Sequence, residues 1–208
     1  MDMETLTRQA VETGNDPPTT TPPTISDDVL RLCRERLRGG EPTYVPVEEE
    51  PMSALNECFS TVRRRIRTHG GSIEYGWTIW EWPGIIVEAE HHAIWLTPDG
   101  RRVDIARKRY GEKNVLFVPD PKTPHVGKRV DNRRLAISKH QAVREFLAVT
   151  DEINREKGMS IGMFRMTSKL QALMFRMGEL ELKLRGMTSR ALVEHARELA
   201  KTMRMGQS

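Results

Sequence analysis

The spacing of apolar residues predicts two helices in the first seventy residues. Apolar positions recur every three to four residues over about 26–38 and again over about 53–68. Ser26 or Asp27 can cap the first helix, and Gly39-Gly40 ends it. The second helix has one apolar face, formed by Leu55, Phe59, Val62 and Ile66.

The pattern changes to that of β-strands after Gly70-Gly71. Four segments rich in Ile, Val, Trp and Tyr are predicted as strands: SIEYGWTIWEW, GIIVEAEHHAIWL, RRVDIA and NVLFVPD. Between the second and third of these strands lies TPDG, with Pro and Gly at positions that a β-turn favours. This turn predicts an antiparallel hairpin. The first strand contains three of the four tryptophans: Trp77, Trp80 and Trp82.

After residue 120 the sequence predicts a basic loop over 121–134 and then helices over about 138–156, 160–185 and 189–204. The middle helix has apolar residues at alternating spacings of three and four, which predicts a narrow seam for a partner helix. The seam consists of Met163, Met166, Leu170, Leu173, Met177, Leu180 and Leu184. The favoured partner is the last helix of the same chain, which would give an intramolecular hairpin. Self-association through the same seam is the alternative.

The chain therefore divides into three parts. Residues 1–25 are rich in Pro and Thr and predict a disordered tail, either a solvated end or a leader for delivery into another cell. Residues 26–120 predict an α+β core, in which a small antiparallel sheet packs on helices. Residues 121–208 predict a basic, helical C-terminal extension.

Composition excludes several classes of protein. The 208 residues include only two cysteines, too few for a disulfide scaffold or a four-cysteine zinc site, which favours a reducing cytoplasm. No apolar run is long enough to cross a membrane. The net charge of +4 combines 15 Lys/Arg and 20 Asp/Glu in 1–120 with 18 and 9 in 121–208. Such a balance is too weak to predict a nucleic-acid-binding protein.

The candidate chemistry lies in the α+β part. A nucleophilic thiol needs a base, and that base needs an orienting group on its other nitrogen. Cys58 lies near the start of the second helix, and its thiolate is favoured by the helix N-terminus if Asn56, rather than Ser53, is the cap. His92 and Asp104 lie on the two strands of the predicted hairpin, and the turn length brings them into register within about one residue.

Two further features bear on this site. Glu90 shares a strand face with His92, and because an unpaired buried carboxylate is costly, we expect it to line a cleft or pair with a base. Trp77, Trp80 and Trp82 are candidates for a cleft wall, although sheet core is their favoured role. A metal site is the rival use of these residues. His91 and His92 point to opposite faces, however, and HExxH and paired CxxC motifs are missing, so neither metal nor cofactor is predicted.

The order of these residues resembles the papain-like and transglutaminase-like superfamily, in which a thiol on a helix precedes an imidazole and a carboxylate on adjacent antiparallel strands. The block GWTIWEWPGIIVEAEHHAIWLTPDGRRVDIARK is also similar to poorly characterised bacterial proteins with EAE-x-HAVW followed by VDIT. The resemblance covers about residues 53–120. It implies Cys58 as nucleophile, His92 as base and Asp104 as orienting group.

Two functions are therefore expected. The first is thiol-dependent hydrolysis or transfer of an acyl group from a protein or peptide, by a protease, a deamidase or a transglutaminase-like enzyme. The second is a non-catalytic interaction protein whose basic helices self-associate or bind an acidic partner. Binding of nucleic acid by those helices is a less favoured alternative.

Overall fold

Within residues 19–37, 40–51, 53–158 and 166–205, the computed structural model contains six strands and four helices, with side chains described to Met187. In chain order these are α1 (Asp27–Arg36), β1 (Thr43–Pro46), α2 (Cys58–His69), β2 (Ser72–Trp82), β3 (Ile86–Leu96), β4 (Arg102–Val103), β5 (Asn114–Pro119), β6 (Arg133–Ala136), α3 (Gln141–Lys157) and α4 (Ser168–Met205). The sheet is mostly antiparallel, so the predicted α+β class is confirmed.

The sheet closes on itself. Its strands follow the order β1-β5-β2-β3-β4. The sixth strand, β6, pairs with residues 86–89 of β3, whereas β4 pairs with residues 95–96. A parallel bridge between Val47 and Asp104 then joins the segments that follow β1 and β4. Two backbone hydrogen bonds of 2.9 Å make this junction, from Asp104 N–H to the Pro46 carbonyl and from Glu48 N–H to the Asp104 carbonyl. The first and last strands of the path are thereby hydrogen-bonded, and the sheet forms a small barrel.

The two faces of the strands pack in different places. The inward face holds a small apolar cluster of Val45, Ile94, Val115 and Phe117. The outward face is covered by helices, with α1 over Trp77 and Ile79 and α2 over Val103 and Ile105. A fourth cluster joins Trp82, at the end of β2, to α3 and α4. Successive residues of β3 therefore enter different environments, because side chains alternate along a strand.

The hairpin of β3 and β4 agrees with the prediction from TPDG. Trp95 pairs with Val103 and Leu96 with Arg102, and Thr97 N–H donates to the Arg101 carbonyl at 2.9 Å across the turn. Gly100 has a φ of 85°, which glycine adopts without strain. The pairing places residues 94 and 104 opposite each other by extrapolation, so His92 and Asp104 lie diagonally on one face.

Residues on both sides of the predicted core, 26–120, also pair with the sheet. Residues 19–25, assigned to the tail 1–25, lie on the sheet: Thr20 forms a two-way backbone bridge with Glu81, and Tyr44 Oη donates to the Pro22 carbonyl at 2.7 Å. The basic loop assigned to 121–134 leads into β6, which pairs with Ile86–Ala89. A four-residue strand with two arginines has too little apolar character to be recognised by periodicity.

The helices also differ from their predicted bounds. The helix predicted over 26–38 occupies Asp27–Arg36 and is capped by Ser26, whose Oγ accepts from Val29 N–H at 3.3 Å. The helix predicted over 53–68 begins only at Cys58, so Leu55 lies outside its apolar stripe and is exposed. The helix predicted over 138–156 spans Gln141–Lys157.

The prediction of two C-terminal helices is wrong, because α4 is continuous. Gly186 alone does not interrupt it, since one glycine costs a helix only about 1 kcal/mol. The expected hairpin of 160–185 with 189–204 is therefore not formed; Leu180 and Leu184 of the seam pack on α3 and the end of β2 instead. Residues 1–18 and 160–165, which include Met163, lie outside the described residues.

Among the described helices, none is long and apolar enough to cross a membrane.

The barrel interior predicts a strong effect of Gly76→Ala. A Cβ at residue 76 would lie 2.5 Å from Phe117 Cζ and closer still to the Val118 carbonyl, so the substitution overpacks the interior. We expect the free energy of unfolding, measured by urea denaturation, to fall by about 2 kcal/mol or more. The control is Gly178→Ala on α4, where a Cβ meets open space and about 1 kcal/mol of stabilisation is expected. Equal stability of Gly76→Ala and the parent protein would contradict this packing.

Candidate active site

Cys58 is the first residue of α2. The preceding Asn56 has a φ of 63°, a left-handed conformation that asparagine tolerates, and the chain enters the helix through Glu57, the N-cap residue. The sequence left Ser53 and Asn56 as alternative caps. Neither is the cap, but Cys58 does lie in the first turn, as a cap at Asn56 would also have placed it.

The start of α2 leaves backbone donors free of helical partners. The first helical hydrogen bond runs from Thr61 N–H to the Glu57 carbonyl at 3.0 Å. The N–H groups of residues 58–60 therefore have no carbonyl partner within the helix. No side chain caps this end, and no acidic residue lies in the first turn. The positive end of the helix dipole therefore acts directly on the Cys58 thiol.

His92 and Asp104 form a buried pair. His92 Nε2 lies 2.9 Å from Asp104 Oδ2, and Asp104 is fully buried. The sequence predicted this contact from the length of the hairpin, and the structure brings the two side chains together. Because Nε2 is engaged by the carboxylate, Nδ1 is the ring nitrogen left for the thiol.

Lys108 is a third member of this cluster. Its Nζ lies 2.5 Å from the same Oδ2 of Asp104, and its side chain is almost fully buried. The other carboxylate oxygen, Oδ1, accepts from Ala106 N–H at 2.9 Å. Both oxygens of Asp104 are thus hydrogen-bonded, so the carboxylate is fixed in one orientation and holds the imidazole in place.

The electrostatics of the cluster favour its charged form. Burial opposes ionisation of His92, but the negative charges of Asp104 and Cys58 outweigh burial and raise the pKa of His92 to about 10. For Asp104, burial is likewise opposed by His92 and Lys108, which lower its pKa to about 2. An imidazolium and a carboxylate therefore coexist at neutral pH.

Cys58 and His92 open onto one cleft of about 400 Å³. Trp80 and Glu90 line it as the sequence proposed, and they are joined by a hydrogen bond of 2.8 Å from Trp80 Nε1 to Glu90 Oε2. Lys108 and the adjoining loop form another part of the lining. The cleft thus combines a thiol, an imidazole and polar groups around a space large enough for a peptide group.

Trp77 and Trp82, the other two candidates for a cleft wall, do not line this cleft. Trp77 faces α1 on the outer side of the barrel and donates from Nε1 to Asp120 Oδ2 at 3.0 Å. Trp82 packs against α3 and α4. Both occupy sheet core, which was their favoured role: Trp77 is on the outward face of β2, and Trp82 is the last residue of the strand, where α3 and α4 pack.

Sequence reasoning missed Lys108 and the loop over 106–112 that lines the cleft. The signal was present in the run RKRYGEK, which directly follows the strand of Asp104. In a sequence this run is indistinguishable from a solvated basic loop. Only the fold shows that Lys108 turns back toward the carboxylate four residues earlier.

Among the described residues, no group of three or more His, Cys, Asp or Glu side chains is arranged to hold a metal ion.

Comparison with known proteins gives no match: neither a family model, nor a curated protein, nor a solved structure is similar to this chain. The geometry of the site must therefore carry any functional argument.

The ion pair predicts a loss of stability at alkaline pH. His92 has an ordinary pKa near 6.5 in the unfolded chain and about 10 in the folded protein, so the folded state binds the extra proton between these values. The stabilisation is complete below pH 6.5 and is lost as the pH rises through 10. We expect the free energy of unfolding to be lower at pH 9.5 than at pH 6.5 by at least about 1 kcal/mol, the equivalent of one pKa unit.

Urea titrations of His92→Gln provide the comparison, because this variant leaves Asp104 paired with Lys108. The decline should be smaller in His92→Gln and unchanged in His69→Gln, a substitution at the exposed end of α2. An identical decline in all three proteins would contradict the ion pair.

Proposed function

We propose that the protein is a thiol-dependent hydrolase or acyl transferase that acts on amide or thioester groups. Cys58 is the nucleophile, His92 the acid–base group and Asp104 the group that orients the imidazole. The observation that carries the proposal is a buried imidazole–carboxylate pair, 2.9 Å apart, that opens onto the same cleft as a thiol at the start of a helix.

The charge of the cluster supports this assignment. His92 and Lys108 contact the same carboxylate of Asp104, so with His92 protonated these three groups have one more positive than negative charge. A buried excess of positive charge is costly unless an anion offsets it. The thiolate of Cys58, at the positive end of α2, is suitably placed to be that anion, which gives the thiolate–imidazolium pair that a cysteine nucleophile requires.

The reaction follows from these positions. Cys58 Sγ attacks the carbonyl carbon, a C–S bond forms, and the carbonyl electrons move to oxygen. The N–H of Cys58, which has no helical partner, can donate to that oxyanion. The imidazolium of His92 then protonates the leaving amine or thiol as its bond to carbon breaks. Water or an amine attacks the resulting thioester, His92 accepts its proton, and the thiolate is released.

Asp104 and Lys108 act as positioning residues in this scheme. Asp104 fixes the orientation of the ring through Nε2, and Lys108 donates to the same carboxylate oxygen, Oδ2. Neither needs to exchange a proton with the substrate. The resemblance to papain-like and transglutaminase-like proteins agrees with the three principal roles, while Lys108 is assigned from the structure alone.

A second candidate function is self-association through α4. Phe175 and Leu182 are seven residues apart on one face of this helix, and they are 72% and 73% exposed. Leu180 and Leu184 lie on the opposite face and pack inside the protein. Because the helix is 38 residues long and α3 has only 17, α3 can cover less than half its length. We infer that a second copy of the chain covers the exposed face.

The catalytic proposal predicts that Cys58 is much more reactive than Cys33. Burial raises the pKa of the Cys33 thiol, whereas Cys58 lies beside an imidazolium at a helix N-terminus. At pH 7 we expect iodoacetamide to alkylate Cys58 at least about tenfold faster than Cys33, because the thiolate is the reacting form. Peptide mass spectrometry measures both rates in one sample.

His92→Ala should slow alkylation of Cys58 about tenfold without changing that of Cys33, since it removes the cation that stabilises the thiolate. The matched control is His69→Ala, at the opposite end of α2. Slow and equal alkylation of the two cysteines in the parent protein would contradict the catalytic proposal.

The self-association proposal predicts a dimer in light scattering at micromolar concentration. The double variant Phe175→Ser and Leu182→Ser should be monomeric at the same concentration, because it removes the exposed apolar face. Lys183→Ser, at a neighbouring exposed position, is the control and should remain dimeric. A monomeric parent protein over the whole concentration range would contradict the proposal.

A further inference from the structure

A second cavity adjoins the cleft of Cys58. It has a volume of about 610 Å³ and lies along the first turns of α2. Several residues line both spaces, namely Asn56, Phe59, Glu90, His91 and Asn132. The two are therefore compartments of one continuous surface, and a molecule that reaches the thiol can extend into the second compartment, called here the Arg63 groove.

One wall of the Arg63 groove is aromatic and neutral. The rings of Phe59 and His125 stack with centroids 4.1 Å apart, and His91 lies 5.1 Å from Phe59. Burial lowers the pKa of His91, and burial together with Arg63 lowers that of His125. Both imidazoles are thus neutral at pH 7. This wall provides a flat surface for the apolar part of a ligand without contributing charge.

Four basic side chains also line the groove: Arg63, Lys128, Arg129 and Lys157. Within the described part of the chain, the hydrogen-bond partners of Arg63 are neutral: its Nη2 donates to the His125 carbonyl at 3.1 Å and to Tyr75 Oη at 3.5 Å, and lies 3.4 Å from His125 Nδ1. Lys128 lies in the same lining. Arg129 is different, because Asp131 accepts from it at 3.0 Å. The groove therefore contains a guanidinium that its described neighbours do not neutralise, which is a typical partner for a carboxylate.

The negative groups of the groove lie next to the cleft. Glu57 directly precedes Cys58, and Glu90 lines both compartments. A polyanion such as a nucleic acid would have to pass these carboxylates, and like charges repel. A single acidic side chain brings only one charge, so it meets less of this repulsion and can pair with Arg63 and Lys128, which line the same groove.

We propose that the Arg63 groove is a specificity pocket for an acidic residue of a peptide or protein substrate. Arg63 and Lys128 bind its carboxylate, and the stacked rings of Phe59 and His125 contact its aliphatic part. This inference rests on the proposed function, since it takes Cys58 as the site of acyl chemistry. It adds the class of substrate: peptides with Glu or Asp next to the amide that Cys58 attacks.

The test uses three tripeptide vinyl sulfones that differ only in having Glu, Gln or Lys beside the electrophile. We expect the Glu probe to alkylate Cys58 at least about tenfold faster than the Gln probe, and the Lys probe to be slowest. The double variant Arg63→Gln and Lys128→Gln should bring the Glu and Gln rates together. Arg64→Gln, the next residue of α2, does not line the groove and should keep the parent ratio.

The alkylation rate with iodoacetamide separates this inference from the proposed function. Fast alkylation of Cys58 by iodoacetamide with equal rates for the three probes would overturn the pocket and leave the catalytic proposal in place. A measurement that does not depend on the thiol is the fluorescence anisotropy of fluorescein-labelled Glu, Gln and Lys peptides with Cys58→Ala. Selective binding of the Glu peptide, lost in the Arg63/Lys128 double variant, would support the pocket even if Cys58 were unreactive.

A single-stranded oligonucleotide serves as the competing ligand in the same anisotropy assay. One contrary result is an oligonucleotide that binds more tightly than the Glu peptide and loses its binding in the double variant. That result would overturn the proposal in favour of a nucleic-acid site. Equal binding of the three peptides would overturn it as well.

Discussion

The buried carboxylate of Asp104 links the fold to the candidate site. The backbone of Asp104 makes the junction that closes the barrel, because its N–H donates to the Pro46 carbonyl and its carbonyl accepts from Glu48 N–H. Its side chain accepts from His92, Lys108 and the N–H of Ala106. A fully buried carboxylate is stable only when it is paired and hydrogen-bonded. Because the strand places Asp104 inside the barrel, these contacts are required. The position of the imidazole is therefore set by the same residue that completes the sheet.

This arrangement has an electrostatic consequence for the space above His92. Two cations share one carboxylate oxygen, and the N-terminus of α2 adds positive potential from the side of Cys58. The pKa of His92 is nevertheless raised, because the negative charges of Asp104 and Cys58 together outweigh both burial and Lys108. The helix N-terminus and the two cations have the sign of potential that an anion at the thiol requires. In the proposed reaction that anion is first the thiolate and then the oxyanion, so one field serves both states.

The extent to which the sequence predicted this structure depends on how local each interaction is. His92 and Asp104 are joined by one turn of recognisable chemistry, so counting residues through TPDG was sufficient to pair them. The apolar period identified the helix of Cys58 but left its start open between Ser53 and Asn56, because the true N-cap, Glu57, has no capping side chain that would mark it. Lys108 could not be distinguished from its basic neighbours, since its burial results from how the chain continues after β4. For β6 the difficulty is similar: its partner lies more than forty residues away, and its own four residues have little apolar pattern.

The two compartments of the surface follow from a single register between α2 and β3. Consecutive residues of a strand face opposite sides, so His92 lies with the inward-facing residues, while His91 faces outward, 5.4 Å from the Trp77 ring. The first two residues of α2 contact these two histidines in the same order. Cys58 lines the cleft with His92, and the ring centroid of Phe59 lies 5.1 Å from that of His91. A shift of α2 by one residue would rotate its side chains by about 100° and separate both pairs at once. The proposed chemistry at Cys58 and the proposed recognition beside Phe59 therefore depend on the same packing of α2 on β3, so a change in that packing would alter both.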